Sequence, residues 1–284
     1  MSRFESFVMV DWSAGNDTGP TPRKDAIWAG AVLGGVEQEP AYLRNREAAL
    51  DWLDALIGVE LAAGRRLMVG FDFPFGYPVG FAPAVTGSSD PLKLWAFYAD
   101  HLDDTPRRNN RFALAGELNA RFPGVGPFWF NGTASDIPHL PRKGLDRTRD
   151  HGQRERRRAE QRAKGSFSCW QMGGAGAVGG QVMTGMAVLE KLRRRHPGKI
   201  AVWPFEGGPA PVHFVEIWPS LIADAVRADG DGIRDRAQVR LLARALSRLP
   251  ENMLLRMMSV DEPVEGWILG LGYEEELARA ACPI

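Results

Sequence analysis

Apolar positions along the chain change period several times, and each change predicts an element. Phe7-Val8-Met9-Val10 and residues 26–33 are short apolar runs rich in strand formers. Between them lies 13–20, dense in turn residues. Gly34-Gly35 ends the second run, and Ala41-Tyr42-Leu43 offers a third, so the start of the chain predicts an antiparallel meander. Leu50, Leu53, Ile57 and Leu61 then recur at helical spacing over 46–63, with Gly64 placed as a C-cap. Leu67-Met68-Val69-Gly70-Phe71 predicts a strand buried on both faces.

From about 76 to 165 the periodicity is lost among prolines, glycines and aromatic residues. So long a structureless loop is rare in a compact domain, which predicts an inserted lid or subdomain with a helix over 92–102. Beyond it, 182–195 and 233–249 predict helices, and 200–203 and 212–215 predict strands. Ser259-Val260-Asp261-Glu262 reads as a capping box opening a last helix that carries Val264, Trp267, Ile268 and Leu271. The order β-β-β-α-β-α-β-α predicts one α/β domain with a mixed sheet over residues 1–284, interrupted by the insertion.

Composition narrows the setting. The 284 residues hold 35 Lys+Arg and 35 Asp+Glu, with 44% hydrophobic and 25% charged. These are globular proportions. No apolar stretch approaches the roughly 18 residues of a membrane span, and the N-terminal residues lack a secretory apolar core. Two cysteines, Cys169 and Cys282, make no disulfide framework, so a reduced cytoplasm is expected. The G-x-S-x-G, H-E-x-x-H and G-x-x-x-x-G-K-[ST] signatures are absent, and the five histidines show no ligand spacing.

The candidate chemistry lies in acids at strand ends. Asp11 follows Phe-Val-Met-Val, Asp72 follows Leu-Met-Val-Gly-Phe, and Glu216 follows His-Phe-Val. A carboxylate ending a buried strand is costly unless it is paired, hydrogen-bonded or bound to a cation. Ligands of open α/β sheets sit beyond the carboxyl ends of the strands. Three acids converging there would suit Mg²⁺ or Mn²⁺, the hard cations of phosphoryl chemistry. Asp261 or Glu265, at the edge of the last helix, could complete the metal set.

Val10-Asp11-Trp12-Ser13, Gly70-Phe71-Asp72-Phe73-Pro74-Phe75-Gly76 and Val215-Glu216-Ile217-Trp218-Pro219-Ser220 together resemble the bacterial family catalogued as domain of unknown function 429. That family belongs to the ribonuclease H-like superfamily and is described as predicted nucleases. The resemblance implies a ribonuclease H-like fold, with Asp11, Asp72 and Glu216 in the places of the metal-binding acids. It departs at the last helix, where Glu265-Gly266 stands in place of the family's Asp-Ala. The same superfamily includes phosphotransferases whose first hairpin binds phosphate, and Ser13 lies in that place. A binding module that keeps the fold without the chemistry is the third alternative.

Two further stretches could contact nucleic acid or a phosphate-containing small molecule. Residues 142–164, starting at Arg142-Lys143, hold ten Lys/Arg against four acids, a composition that suits either a phosphate backbone or a solvated, ion-paired segment. Gly174-Ala-Gly176-Ala-Val-Gly179 matches G-x-G-x-x-G and precedes a helix, but no clear strand leads into it. Phe128-Trp129-Phe130 suits the small core of the insertion better than a base-stacking platform.

Overall fold

The computed structural model describes residues 3–282. In chain order the strands and helices are β1 (Ser6–Asp11), β2 (Ile27–Leu33), β3 (Val36–Glu37), β4 (Ala41–Arg44), α1 (Arg46–Ala62) and β5 (Leu67–Phe71). Then come α2 (Phe81–Thr86), α3 (Leu92–His101), β6 (Asp104–Thr105), β7 (Arg108–Asn109), α4 (Arg111–Asn119), α5 (Arg158–Arg162) and α6 (Gly179–Arg195). The chain continues with β8 (Ile200–Val202), β9 (Val212–Glu216), α7 (Ala223–Asp229), α8 (Arg234–Arg248), α9 (Glu251–Met257) and α10 (Glu274–Ala281). The fold is α/β, as expected. No helix among the described residues is long and apolar enough to cross a membrane.

The chain forms two compact units. The first comprises 1–72, 192–261 and 268–284; the second comprises 73–191 and 262–267. The second unit thus begins close to the expected insertion but runs further along the chain and recruits a short late segment.

In the first unit a mixed sheet has the order β3-β2-β1-β5-β9-β8, with β4 also pairing β2. The meander is antiparallel, while β1, β5, β9 and β8 pair in parallel. The unbroken apolar runs at β1 and β5 follow from this order, because central parallel strands are covered on both faces. Helix α8 lies over β1 and β2. Gly30 makes that close approach possible: a Cβ there would lie 2.4 Å from the backbone of Val239. Gly30→Ala should therefore cost about 3 kcal/mol, measured by urea unfolding. Wild-type stability in that variant would show that the helix does not lie there.

The last helix of the sequence reading is not formed at 261–271. Residues 263–265 turn, Ile268 bridges Glu216, and the helix starts only at Glu274. Gly266, Gly270 and Gly272 all adopt positive φ, a left-handed backbone that no α-helix interior accepts.

The second unit is packed around aromatic rings. Tyr77, Phe81, Phe128 and Trp170 contact one another with centroids 4.4–5.9 Å apart. Phe128 is therefore core, as its composition suggested, and is fully buried.

Candidate active site

Register decides which strand-end acids meet. Val10 pairs Phe71, and Phe71 pairs Glu216. Asp11 and Asp72 are each one residue further on, at the same level on neighbouring strands. Their side chains are hydrogen-bonded to each other. Successive residues of a strand face opposite sides of a sheet. Glu216 is therefore level with Val10 and Phe71 and takes their face, away from Asp11. It is buried, and its carbonyl accepts from the amide of Leu269 at 2.8 Å. The three-acid convergence expected from the sequence is thus reduced to a pair. Among the described residues no group of three or more His, Cys, Asp or Glu is placed to hold a metal ion.

The face that carries Asp11 also carries Met9 and Gly30, the surface on which α8 packs. Asp235 stands in the first turn of that helix. Its Oδ2 accepts from the backbone amide of Asp25 at 2.9 Å, and it acts electrostatically on both Asp11 and Asp72. Sequence reading missed Asp235 because a first-turn acid is an ordinary companion of the helix dipole. The nearest available signal was Gly30, an unexplained glycine inside a strand run.

Both paired acids hold their protons unusually tightly. Burial pushes Asp11 well above the usual carboxylate range, and repulsion from Asp72, Asp235 and Asp25 adds to it. Burial also pushes Asp72 up, to about 6, although the amide of Trp12 opposes this by donating to Asp72 Oδ1 at 2.6 Å. Two facing carboxyl groups of this kind repel when both are ionised, so the pair keeps a proton to higher pH than a lone carboxylate does. The donors are all oxygen, which suits a hard divalent ion. Mg²⁺ commonly takes one or two carboxylates and completes its shell with water and substrate oxygens. Asp11 and Asp72 fit that requirement.

Comparison with family models, curated proteins and solved structures returns no match. The site has to be argued from its own geometry.

The loop after β1 is tied down. Arg46, at the start of α1 and buried, donates to the carbonyls of Ser13 at 3.1 Å and Gly15 at 2.6 Å. Ser13 Oγ donates to the Asp25 carbonyl at 2.7 Å and accepts from the Gly15 amide at 3.0 Å. Its hydroxyl thus holds the loop, whereas a substrate contact was expected.

The remaining sequence candidates have structural partners. Glu265, in the second unit, is fully buried and accepts from the amides of Val79 and Arg158, each at 2.8 Å, and from the Arg154 guanidinium. A carboxylate so engaged lacks the free oxygens of a metal ligand. Asp261, in the first unit, is exposed and makes no ion pair among the described residues. Arg142 binds Asp136 and the carbonyls of Asn131 and Thr133. Arg147 pairs with Glu155, Arg157 with buried Glu160, and Arg158 with Glu262. Most of the basic run therefore ties the second unit together. Lys143 is exposed beside a short turn at Gly144–Asp146. Gly174 and Gly176 have positive φ, and a Cβ on them would lie 2.7 Å from the Phe130 ring and 2.5 Å from the Phe167 ring. They are glycines because rings cover them, which removes the reason to read them as a phosphate cradle.

Proposed function

We infer that this chain is a metal-dependent phosphodiester hydrolase of ribonuclease H-like fold. The observation that carries the reading is the Asp11–Asp72 pair at the carboxyl ends of two adjacent parallel strands, with Asp235 on the helix covering the same face. An antiparallel meander joined through β1 to parallel strands is the strand arrangement implied by the resemblance to that superfamily. Asp11 and Asp72 would hold Mg²⁺ or Mn²⁺, with Asp235 nearby to bind an outer water. A divalent ion held by these residues would supply positive charge to the phosphate and would make a bound water more acidic. The Trp12 amide fixes the rotamer of Asp72, and the Arg46 contacts hold the loop beside it. The nucleotide-phosphotransferase alternative loses its second loop, since Gly174 and Gly176 are covered by rings.

The test is cleavage of labelled single- and double-stranded DNA and RNA in Mg²⁺ or Mn²⁺. Cleavage should occur and should fall at least about a hundredfold in Asp11→Asn, with circular dichroism unchanged. A wild-type protein that cleaves none of these substrates with either metal overturns the reading.

A further inference from the structure

The basic run was one candidate phosphate contact, and its arginines largely hold the second unit together. Other cations stand on the elements that surround the carboxylate pair, all in the first unit. Arg23, Lys24, Arg44 and Arg234 are exposed and make no ion pair among the described residues. By contrast Arg236, Arg240 and Arg244, along α8, are each paired with an acid.

A chain of contacts places these four at one corner of the sheet. Trp28 pairs Asp11 across the β1–β2 ladder, and its indole N–H donates to the Arg23 carbonyl at 2.9 Å. The Trp28 ring lies 5.1 Å from the Tyr42 ring, and the Arg44 guanidinium lies 5.9 Å from Tyr42. Arg44 in turn pairs Ile27 across the β2–β4 ladder. Asp25, next to Lys24, donates its amide to Asp235, next to Arg234. The free cations are therefore one or a few residues from the acids that bear the proposed chemistry. The acids among them are partly occupied: Asp17 accepts from the Tyr42 hydroxyl and the Gly19 amide.

The geometry points to this corner as the binding path for a single-stranded nucleic acid: Arg23, Lys24, Arg44 and Arg234 grip backbone phosphates and lead the strand across Asp11 and Asp72. Exposed cations outside ion pairs are available to phosphates, although Arg23 shares its field with Asp17, and binding then releases counterions from the strand. The half-exposed Tyr42 with Arg44 against it offers a surface on which a base stacks, which favours an unpaired strand over a duplex. The inference rests on the hydrolase reading and adds its substrate and its path.

The test is fluorescence anisotropy with a labelled phosphorothioate 20-mer in Mg²⁺, so that binding is read without hydrolysis. The variant Arg23→Glu/Lys24→Glu/Arg44→Glu should bind at least tenfold more weakly in 0.1 M salt. Its plot of log affinity against log salt should flatten by about 2, since each single-strand phosphate contact contributes about 0.7. The neutral set Arg23→Gln/Lys24→Gln/Arg44→Gln should lie between it and wild type. Arg279→Glu, on α10, should bind like wild type. A wild-type protein that does not bind the oligonucleotide, or a triple variant with wild-type affinity and slope, overturns the inference. The two readings fail separately. A wild type that binds through this corner but cleaves nothing leaves the path standing and ends the hydrolase. A wild type that cleaves while the triple variant binds as tightly ends the path alone.

Discussion

Asp72→Asn should make the metal-free protein more stable at pH 7.5 while removing its response to Mg²⁺. The reason is the cost of holding Asp11 and Asp72 together. Asp72 titrates at about 6 in the folded protein, against about 4 for an ordinary aspartate, and Asp11 is raised well above its own usual range. An acid whose folded pKa is raised binds more protons folded than unfolded over that interval. Its favourable contribution is complete below about 4 and is lost as pH rises through 6. Above that range, with Asp72 ionised against Asp11, the pair is therefore a destabilising element. The full shift corresponds to about 3 kcal/mol, and partial exposure of both groups reduces this to about 1–2 kcal/mol. Asparagine keeps an oxygen to accept from the Trp12 amide and presents an N–H₂ to Asp11, so it relieves the repulsion without breaking the contact. The expected gain is a few degrees in Tm in EDTA at pH 7.5, shrinking towards zero at pH 4. Mg²⁺ should raise the Tm of wild type and leave that of Asp72→Asn unchanged. A variant less stable than wild type at both pH values would mean that Asp72 is an ordinary capping carboxylate.

The same pair shows what could be read before any coordinates. Asp11 and Asp72 stood out because an acid ends a run of residues that only a buried strand explains. The step from run to strand is local, and so is the step from strand to carboxyl end. Glu216 satisfied the same local test and yet faces the other way. Its face is set by the pairing of Phe71 with Glu216, and a one-residue difference in register moves a side chain across the sheet. Register between strands that lie well over a hundred residues apart is a long-range property. Asp235 was hidden for the converse reason. Its importance comes from where α8 lies, which depends on a glycine in β2 two hundred residues earlier.

Charge counting left the basic run open between two readings, for a related reason. The basic run has a clear excess of cations, but an excess says nothing about acids brought in from elsewhere. Glu262 and Glu265 come from a segment more than a hundred residues later, and Arg154 and Arg158 reach them. The four cations at the sheet corner drew no notice, because they are scattered through the sequence and only the meander and α8 gather them.

Glu265→Ala should be the most destabilising of these substitutions, and it should act on the second unit with no loss of metal binding by the protein that remains folded. Glu265 Oε1 accepts from the Val79 amide and from Arg154, and Oε2 accepts from the Arg158 amide. Its own carbonyl accepts from Arg157 Nη1 at 2.8 Å, and a Cβ on Gly76 would lie 2.6 Å from that carbonyl oxygen. One buried carboxylate thus satisfies donors from two separated stretches of chain. Truncation leaves two backbone N–H groups and a guanidinium without an acceptor, and an unpaired buried polar group costs about 1–3 kcal/mol. Arg154 is half-exposed and can turn to water, so the loss comes mainly from the two amides, and about 3 kcal/mol is expected in urea unfolding. Glu265→Gln keeps the shape but turns one acceptor into a donor facing donors, and should lose less than the truncation. Calorimetric titration with Mg²⁺ separates this role from the ligand role suggested by the sequence. A variant of normal stability with a tenfold loss of metal affinity would restore Glu265 as a ligand. A large loss of stability with unchanged affinity fixes it as the tie that joins 262–267 to the arginine segment and to the chain around Val79.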